Sequence, residues 1–340
     1  MTGELLHGSG KDALAGVAAR GGCGRCGLAG AAGLRHGSKK NKDESIATIR
    51  RAHELGIDFF DTAELYGSGT GSNEILLGKA VEDFRDEVVL ATKFGFDMTA
   101  QPLGSGFDSR PENIRKVPEN SLRHLESDHI DLFYQHISDP SVPVEEVAGV
   151  VGELIAEGKV KYFGLSNVGP QYIRRAHAVT PVSVLQYEYS LFEREVEEKI
   201  LPVLRELGIG LVPYSPLGRG FLAGQIRPAS EYAADDMRSW DERWQGENYT
   251  YNVRAIEQLK SLADTKGITT AQLALAWLLA QGEDVAPIPG TRSAKRLEEN
   301  AGALDVQLSA ADLARVTEIL PHGSAGSRYP AAALHSLTTD

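Results

Sequence analysis

The sequence predicts an α/β protein built as a parallel (β/α)8 TIM barrel, with a first strand that is atypical in sequence. From residue 43 onward, short apolar runs alternate with longer amphipathic stretches, the pattern of parallel strands joined by helices. Runs such as 88–91 are apolar at consecutive positions, so both strand faces are expected to be buried. A chain of 340 residues also suits one barrel domain. A doubly wound open sheet is the alternative.

Seven strands can be assigned in order, and an eighth is expected without being located. The predicted strands are 57–62, 88–93, 130–136, 160–166, 182–187, 210–215 and 285–289. Helical spacing occupies 44–55, 73–84, 111–125, 143–158, 170–179, 195–207, 251–266, 270–279 and 294–301. Gly56, Gly158 and Gly208 are each expected to end a helix just before a strand, and Pro170 to lie in a first helical turn.

Composition excludes several classes of function. The net charge of −12 opposes binding to a phosphate backbone, so no nucleic-acid partner is expected. No apolar run is long enough to cross a membrane, and the first residues lack the apolar core of a secretory signal. With only Cys23 and Cys26, a disulfide framework is not expected, and the pair alone is a weak zinc motif. These features favour a cytoplasmic enzyme without a metal site.

Polar side chains directly follow most of the predicted strands. In a parallel barrel, catalytic groups lie at the carboxyl ends of the strands. The residues at or just beyond these ends are Asp61 with Tyr66, Lys93, His136, Ser166 with Asn167, Gln186, Ser215 and Thr291.

Four of these residues form a set suited to carbonyl reduction, which needs a hydride donor and a proton donor at the carbonyl oxygen. Tyr66 can supply the proton, and Lys93 is expected to lower the pKa of the Tyr66 phenol toward neutral pH. Asp61 is expected to pair with Lys93, and His136 to orient the substrate oxygen. Each residue alone would more often be a helix cap, a solvated side chain or a core residue. Their joint occurrence at three successive strand ends indicates a catalytic site.

Several segments resemble the aldo-keto reductase family, in its bacterial-type branch similar to potassium-channel β-subunit-like members. GIDFFDTAELYG at 56–67 is similar to the signature that contains the family's catalytic aspartate and tyrosine. VLATK at 89–93 and DLFYQH at 131–136 are similar to the strands that carry its lysine and histidine. Five further segments resemble, in the expected order, the cofactor-binding segments of the family: 164–167, 186–190, 214–218, 288–292 and 296–300. The likeness runs from about residue 43 to about residue 330.

The resemblance implies a complete set of cofactor contacts. Ser166, Asn167 and Gln186 would bind the nicotinamide carboxamide, while the ring stacks on Tyr214. The pyrophosphate would be lined by Ser215, Pro216, Leu217, Gly218 and Gly220, and the adenosine end held by Gly290, Thr291, Arg292, Arg296, Glu299 and Asn300. Because a 2′-phosphate needs cationic donors, the two arginines favour NADPH over NADH.

The resemblance also divides the chain. Residues 43–340 would form the barrel, with a cofactor loop at 221–252 and a C-terminal tail at 321–340 that borders the pocket. Trp240 or Trp244 is expected either to line the substrate pocket or to anchor the loop by burial. Residues 1–42 form an atypical segment without acidic residues from 13 onward, and they lack the family's first-strand pattern. They are interpreted as a degraded first strand arising from a reading-frame error, with a targeting segment or a genuine variant as alternatives.

The leading prediction is therefore NADPH-dependent reduction of an aldehyde or ketone to an alcohol. One alternative is a non-catalytic NADP(H)-sensing subunit, since channel β-subunits share the fold. Another is a Rossmann-type dehydrogenase, because Gly22, Gly24 and Gly27 match a GxGxxG pattern. That pattern needs a preceding strand, a helix that opens from it and an acidic residue about 20 positions later. The preceding residues are not a convincing strand, and the nearest acids, Asp43 and Glu44, are expected to open a helix instead.

Overall fold

A six-stranded parallel sheet forms the centre of the computed structural model, which describes residues 39–224 and 226–329. The strands pair in chain order and are β1 (Phe59–Asp61), β2 (Val89–Phe94), β3 (Ile130–Gln135), β4 (Val160–Ser166), β5 (Val182–Glu188) and β6 (Gly210–Tyr214). A doubly wound sheet would reverse its strand order at a switch point. The described strands show no reversal, so they do not follow the open-sheet alternative.

Helices connect each strand to the next. α1 (Lys39–Glu54) precedes β1, and the crossovers contain α2 (Ser72–Val81), α3 (Pro111–Leu125), α4 (Val144–Ala156), α5 (Pro170–Val179) and α6 (Val196–Leu207). After β6 come α7 (Gly246–Thr265), α8 (Thr270–Leu279), α9 (Ala294–Ala301) and α10 (Ala310–Ile319). Gly56, Gly158 and Gly208 follow three of the helices with φ of 83°, 78° and 69°, which confirms the predicted helix ends.

The segment predicted as the seventh strand extends the sheet beyond β6. Leu211 donates its amide hydrogen to the Asp284 carbonyl at 2.8 Å, and Ala286 donates back to the Leu211 carbonyl at 2.9 Å. Ile288 donates to the Pro213 carbonyl at 3.0 Å. Only one parallel bridge, between Leu211 and Val285, joins this segment to β6, so it is an extended run and not a full strand.

Alternate residues of the strands form a small hydrophobic cluster on the inner face of the sheet. Because successive side chains of a strand point to opposite faces, every second residue belongs to this interior layer. The cluster consists of Phe59, Val89, Ala91, Leu132, Tyr134, Val184, Val212 and Ile288. Gly164 of β4 makes room for it, since a Cβ there would lie 2.3 Å from the Tyr134 ring. The opposite strand faces pack against the helices in a larger core.

Two helices of the C-terminal half differ from the sequence prediction. α7 begins at Gly246, within the predicted loop 221–252 and ahead of the predicted helix start at residue 251. The loop itself contains short 3₁₀ turns, including Ala229–Glu231 and Glu242–Trp244. α10 was not predicted, although its capping box is visible in the sequence as Ser309 and Asp312.

Parts of the sequence predictions lie outside the described residues. The GxGxxG pattern, both cysteines and most of segment 1–42 fall there, as does the tail beyond residue 329. α1 itself begins at Lys39, so residues 42 and 43, where the domain boundary is predicted, both belong to this helix. Among the helices of the described ranges, none combines the length and apolarity that a membrane span requires.

Candidate active site

The predicted site residues lie together at one end of the sheet, because every second side chain of each strand points to its inner face. Asp61, Lys93, His136, Gln186 and Tyr214 each lie two positions after an inward-facing member of the interior cluster. They therefore form the next layer above that apolar floor, at the carboxyl ends of the strands. This periodicity brings side chains together that are up to 153 residues apart in the chain, taking 214 minus 61.

Lys93 and Asp61 form a buried ion pair at the floor of the site. Both side chains are inaccessible to solvent, and the Lys93 ammonium donates to Asp61 Oδ1. It also donates to the Thr62 carbonyl at 2.7 Å, while Asp61 Oδ2 accepts a 2.8 Å hydrogen bond from Gln186 Nε2. A buried charge is tolerated when it is paired and hydrogen-bonded, and both charges here are.

Tyr66 and His136 lie above this ion pair. The Lys93 ammonium lies 5.0 Å from the centre of the Tyr66 ring, and the Tyr66 and His136 rings meet edge to face with centroids 5.8 Å apart. Phe96 packs against the other side of His136 with centroids 5.0 Å apart. The structure thus brings the four predicted catalytic residues into one cluster.

Burial and Lys93 set the protonation of these groups. Burial raises the pKa of Tyr66 above its usual value, and the neighbouring Lys93 only partly opposes this rise. The sequence prediction that Lys93 brings the pKa of Tyr66 toward neutral pH is therefore wrong in net direction, because desolvation of the phenolate outweighs the ammonium. Burial favours the neutral form of Lys93, but the Asp61 carboxylate raises its pKa in net effect. Burial, with help from Lys93, lowers the pKa of His136 well below its usual value.

A cavity of about 720 Å³ opens above the cluster, and almost all predicted site residues line it. The predicted residues on its wall are Asp61, Tyr66, His136, Ser166, Asn167, Gln186, Tyr214, Ser215, Pro216, Leu217, Gly220, Gly290, Thr291, Arg292, Arg296, Glu299 and Asn300. Lys93 lies beneath the wall, and Gly218 is buried behind it. The cavity is large enough for a dinucleotide-sized ligand.

Neither predicted tryptophan lines this cavity. Trp244 is 2 % exposed and packs edge to face on Phe221 at 5.1 Å, so it anchors the loop. Trp240 is 48 % exposed at the surface. The expectation that one of them borders the substrate pocket is wrong for this cavity, and burial is the correct alternative for Trp244 only.

Several wall residues were not in the predicted set. Phe96, Ile137, Arg219 and Tyr329 are the larger ones, joined by Ala223, Ala271, Ile288 and Pro289. Ile288 and Ile137 could have been found from strand periodicity, since each belongs to or directly follows a predicted strand. For Tyr329, the family resemblance provided only the general expectation that the C-terminal tail borders the pocket. No local sequence pattern distinguishes Arg219 from a surface arginine.

Three wall residues adopt the left-handed backbone region that is normally left to glycine. Asn167, Ser215 and Arg219 have φ of 54°, 50° and 55°. Such conformations cost about 1–3 kcal/mol each and are retained mainly at functional sites. The Asn167 side chain is fixed by Tyr214, whose hydroxyl donates to Asn167 Oδ1 at 3.0 Å.

The far end of the cavity is built on the start of α9. Ser293 caps this helix, accepting a hydrogen bond from the Arg296 amide at 3.4 Å. Arg292 and Arg296 are exposed on the cavity wall beside this N-terminus. Two cations and the positive end of a helix favour an anionic group at this position. Among the described residues, no group of three or more His, Cys, Asp or Glu side chains is arranged to hold a metal ion.

Comparison with known proteins matches residues 27–321 to the model of the aldo/keto reductase family. The chain belongs to the aldo-keto reductase family. The match to the family model begins at residue 27, whereas the likeness that the motifs alone reveal begins at about residue 43. A probable aldo-keto reductase 1 from Glycine max is 45 % identical over 310 residues, covering 91 % of this chain and 87 % of that protein.

Solved aldo-keto reductases share the fold. The glycerol dehydrogenase AKR11B4 from Gluconobacter oxydans superimposes with a TM-score of 0.80 at 30 % identity, covering 87 % of this chain and 91 % of that chain. An aldo/keto reductase from Klebsiella pneumoniae, solved in complex with NADP and acetate, has a TM-score of 0.67 at 26 % identity and covers 89 % of this chain and 94 % of that one. Membership of this family makes the protein an oxidoreductase.

Proposed function

We propose that the protein reduces an aldehyde or ketone to an alcohol with NADPH, using Asp61, Tyr66, Lys93 and His136. One observation carries the proposal: a buried lysine, held by Asp61 and the Thr62 carbonyl, lies under a tyrosine that meets a histidine at the cavity wall. A phenol supported by an ammonium and flanked by a neutral imidazole is suited to give a proton to a carbonyl oxygen.

The donors of the cavity fit NADPH. When bound, this cofactor supplies the hydride for the carbonyl carbon. Ser166, Asn167 and Gln186 would bind the carboxamide beside Tyr214, and the segment Ser215–Leu217 with Gly218 and Gly220 would accommodate the pyrophosphate. Gly290, Thr291, Glu299 and Asn300 would hold the adenosine end, with Arg292 and Arg296 at the 2′-phosphate. The related Klebsiella pneumoniae enzyme, solved with NADPH as well, supports this assignment.

Each catalytic residue has one task in the proposed reaction. Tyr66 donates its phenolic proton to the carbonyl oxygen, and the raised pKa keeps that proton in place at neutral pH. Lys93 stabilises the negative charge that develops on the Tyr66 oxygen, while Asp61 keeps Lys93 charged and in position. His136 stays neutral and can donate a hydrogen bond that orients the substrate oxygen.

The complete architecture is also part of the proposal. The six strands, the extended run after Asp284 and the filled interior support a closed (β/α)8 barrel within residues 43–340.

The test is NADPH oxidation with a panel of aromatic, aliphatic and dicarbonyl substrates, using Tyr66→Phe. The variant keeps the ring but loses the acidic proton, so we expect turnover to fall at least about 100-fold. Binding of NADPH, followed by fluorescence, should remain. Tyr251→Phe is the matched control, because Tyr251 is 45 % exposed on α7, away from the cavity.

Full turnover by Tyr66→Phe would remove Tyr66 as the proton donor. A wild-type protein that binds NADPH but reduces no carbonyl of the panel would instead favour the sensing subunit.

A further inference from the structure

Three arginines are buried together beside the cavity and are called here the arginine cluster. The side chains of Arg219, Arg243 and Arg328 are 7 %, 2 % and 2 % exposed. They come from three separate segments: the turn after β6, the end of the cofactor loop and the C-terminal segment. Burying an ionised side chain is costly unless it is well paired, so such a cluster needs partners.

Acidic residues join the arginine cluster into one network. Glu188, at the end of β5, accepts from Arg243 Nη1 at 3.1 Å and lies 3.6 Å from Arg219 Nη2. Asp241 of the loop pairs with Arg219, and Glu193 accepts from Arg243 Nη2 at 2.7 Å. The network therefore ties the loop to the barrel wall through groups that are almost wholly removed from water.

The C-terminal segment is fastened to the same loop. Ala325 and Asn252 exchange two hydrogen bonds of 2.9 and 3.0 Å, and Asn252 also donates to the Arg243 carbonyl. The Ser327 amide donates to Glu242 at 3.0 Å. Arg328 donates to the Tyr187 hydroxyl at 3.1 Å and lies over its ring at 4.9 Å. These contacts fix the backbone just before Tyr329.

Tyr329 is the residue that the network presents to the cavity. Its ring packs on the Arg219 guanidinium at 4.8 Å and lies 5.9 Å from that of Arg328. Burial raises the pKa of Tyr214 well above its usual value, and a hydrogen bond with Tyr329 adds to this rise, so the two phenols lie close together. Tyr329 thus faces the catalytic end, where Tyr66, Phe96, His136 and Tyr214 also line the wall.

The geometry points to Tyr329 as a substrate-positioning residue that packs on the carbonyl compound and is held in place by the arginine cluster. The inference rests on the proposed carbonyl reduction. Aromatic side chains on a cavity wall bind flat, unsaturated groups well, because ring contacts add to apolar burial. The site should therefore prefer a carbonyl attached to an aromatic ring over a small aliphatic one.

The first test compares Tyr329→Ala with Tyr329→Phe on benzaldehyde and propanal. For Tyr329→Ala, we expect the KM of benzaldehyde to rise about tenfold, with propanal and the NADPH dissociation constant changing less than about threefold. Tyr329→Phe, which keeps the ring, should stay close to the wild type. Equal KM changes for both aldehydes, or none, would overturn the inference. Tyr251→Ala serves as the exposed tyrosine control.

The second test asks whether Arg328 acts through Tyr329. Arg328→Met should raise the KM of benzaldehyde by a smaller factor, and it should add nothing in the Tyr329→Ala background, because the residue it positions is then absent. Additive effects in the double variant would reject the positioning role. Thermal melting checks folding, and Arg315→Met, at a half-exposed site on α10, is the matched control.

The failure of this inference differs from that of the proposed function. Benzaldehyde reduction that is unaffected by Tyr329→Ala refutes the inference and leaves the function standing. Absence of turnover in the wild type refutes the proposed function. Fluorescence titration of benzaldehyde into the NADP⁺ complexes of the wild type and of Tyr329→Ala then decides whether Tyr329 contributes to benzaldehyde binding.

Discussion

Lys93 illustrates how single residues are constrained at this site. Its side chain has no exposed surface, yet it carries a charge that is compensated by Asp61 and the Thr62 carbonyl. Removing Asp61 would leave that ammonium without its counter-charge, whereas a solvated lysine would lose little. The same lysine partly opposes the rise in the pKa of Tyr66 that burial causes, and it adds to the lowering of the pKa of His136 by burial. One residue thus acts on both groups that are proposed to face the carbonyl oxygen.

The protonation states predict a flat pH profile around neutrality. The pKa of Tyr66 is raised above 10.0 and that of His136 is well below 6.5, so neither group changes charge between them. We expect kcat/KM for carbonyl reduction to be nearly constant from about pH 6.5 to pH 8.5 and to fall at alkaline pH as Tyr66 loses its proton. Alcohol oxidation, which needs the phenolate, should rise there.

Initial rates in both directions across this range would measure the profile, with circular dichroism as the control for folding. An acid limb near pH 6.5 would show that His136 titrates as an ordinary imidazole and would contradict the effect of burial.

Arg292 gives a prediction about cofactor choice. It lines the cavity beside the start of α9 and is proposed to contact the 2′-phosphate, a group that NADH lacks. Charge-assisted hydrogen bonds are worth about 1.5–3 kcal/mol, so Arg292→Ala should weaken NADPH binding roughly 10-fold or more and leave NADH nearly unchanged. Fluorescence titration measures both dissociation constants. Arg254→Ala, at an exposed position of α7, is the control, and equal losses for the two cofactors would exclude the phosphate contact.

At the scale of the elements, close packing between helices depends on single glycines. Gly78 of α2 lies against the end of α3, and a Cβ at this position would approach the Leu125 carbonyl oxygen to 2.4 Å. The obstacle is backbone, which cannot rotate away as a side chain could. Gly149 of α4 is also helical, but a Cβ there meets nothing within 4 Å.

These two glycines form a matched pair of variants. Gly78→Ala should lower the free energy of unfolding by about 1–3 kcal/mol, because α2 and α3 must move apart. Gly149→Ala should raise it by up to about 1 kcal/mol, since alanine is the better helix former. Urea unfolding followed by circular dichroism gives both values. A rise in the free energy of unfolding for Gly78→Ala would show that helix propensity, and not the contact with Leu125, decides the outcome at Gly78.

At the scale of the whole molecule, periodicity accounts for what the sequence predicts. The bounds of β4, α3, α5, α8 and α9 agree with the predictions, and the catalytic cluster follows from strand alternation together with the family motifs. Residues such as Lys93 and Gln186 could be found because each ends an apolar run. The net pKa of Tyr66 could not, because it depends on how much water the folded wall excludes.

Contacts between distant segments account for what the sequence misses. Arg219, Arg243 and Arg328 resemble ordinary charged residues in the chain, and only the fold brings them together behind Tyr329. The segment predicted as a loop around residue 246 forms the first turns of α7, even though glycine is a poor helix former. Tertiary packing determines the secondary structure at such positions, and the local sequence pattern does not predict it.

The left-handed backbone at Asn167 and Ser215 has a consequence for engineering the protein. Glycine would adopt these angles without strain, so a selection for thermal stability alone would favour glycine at both positions. The stabilised variants would lose the amide and hydroxyl groups that line the pocket wall. Thermal stability and ligand binding therefore compete at these two positions of the chain.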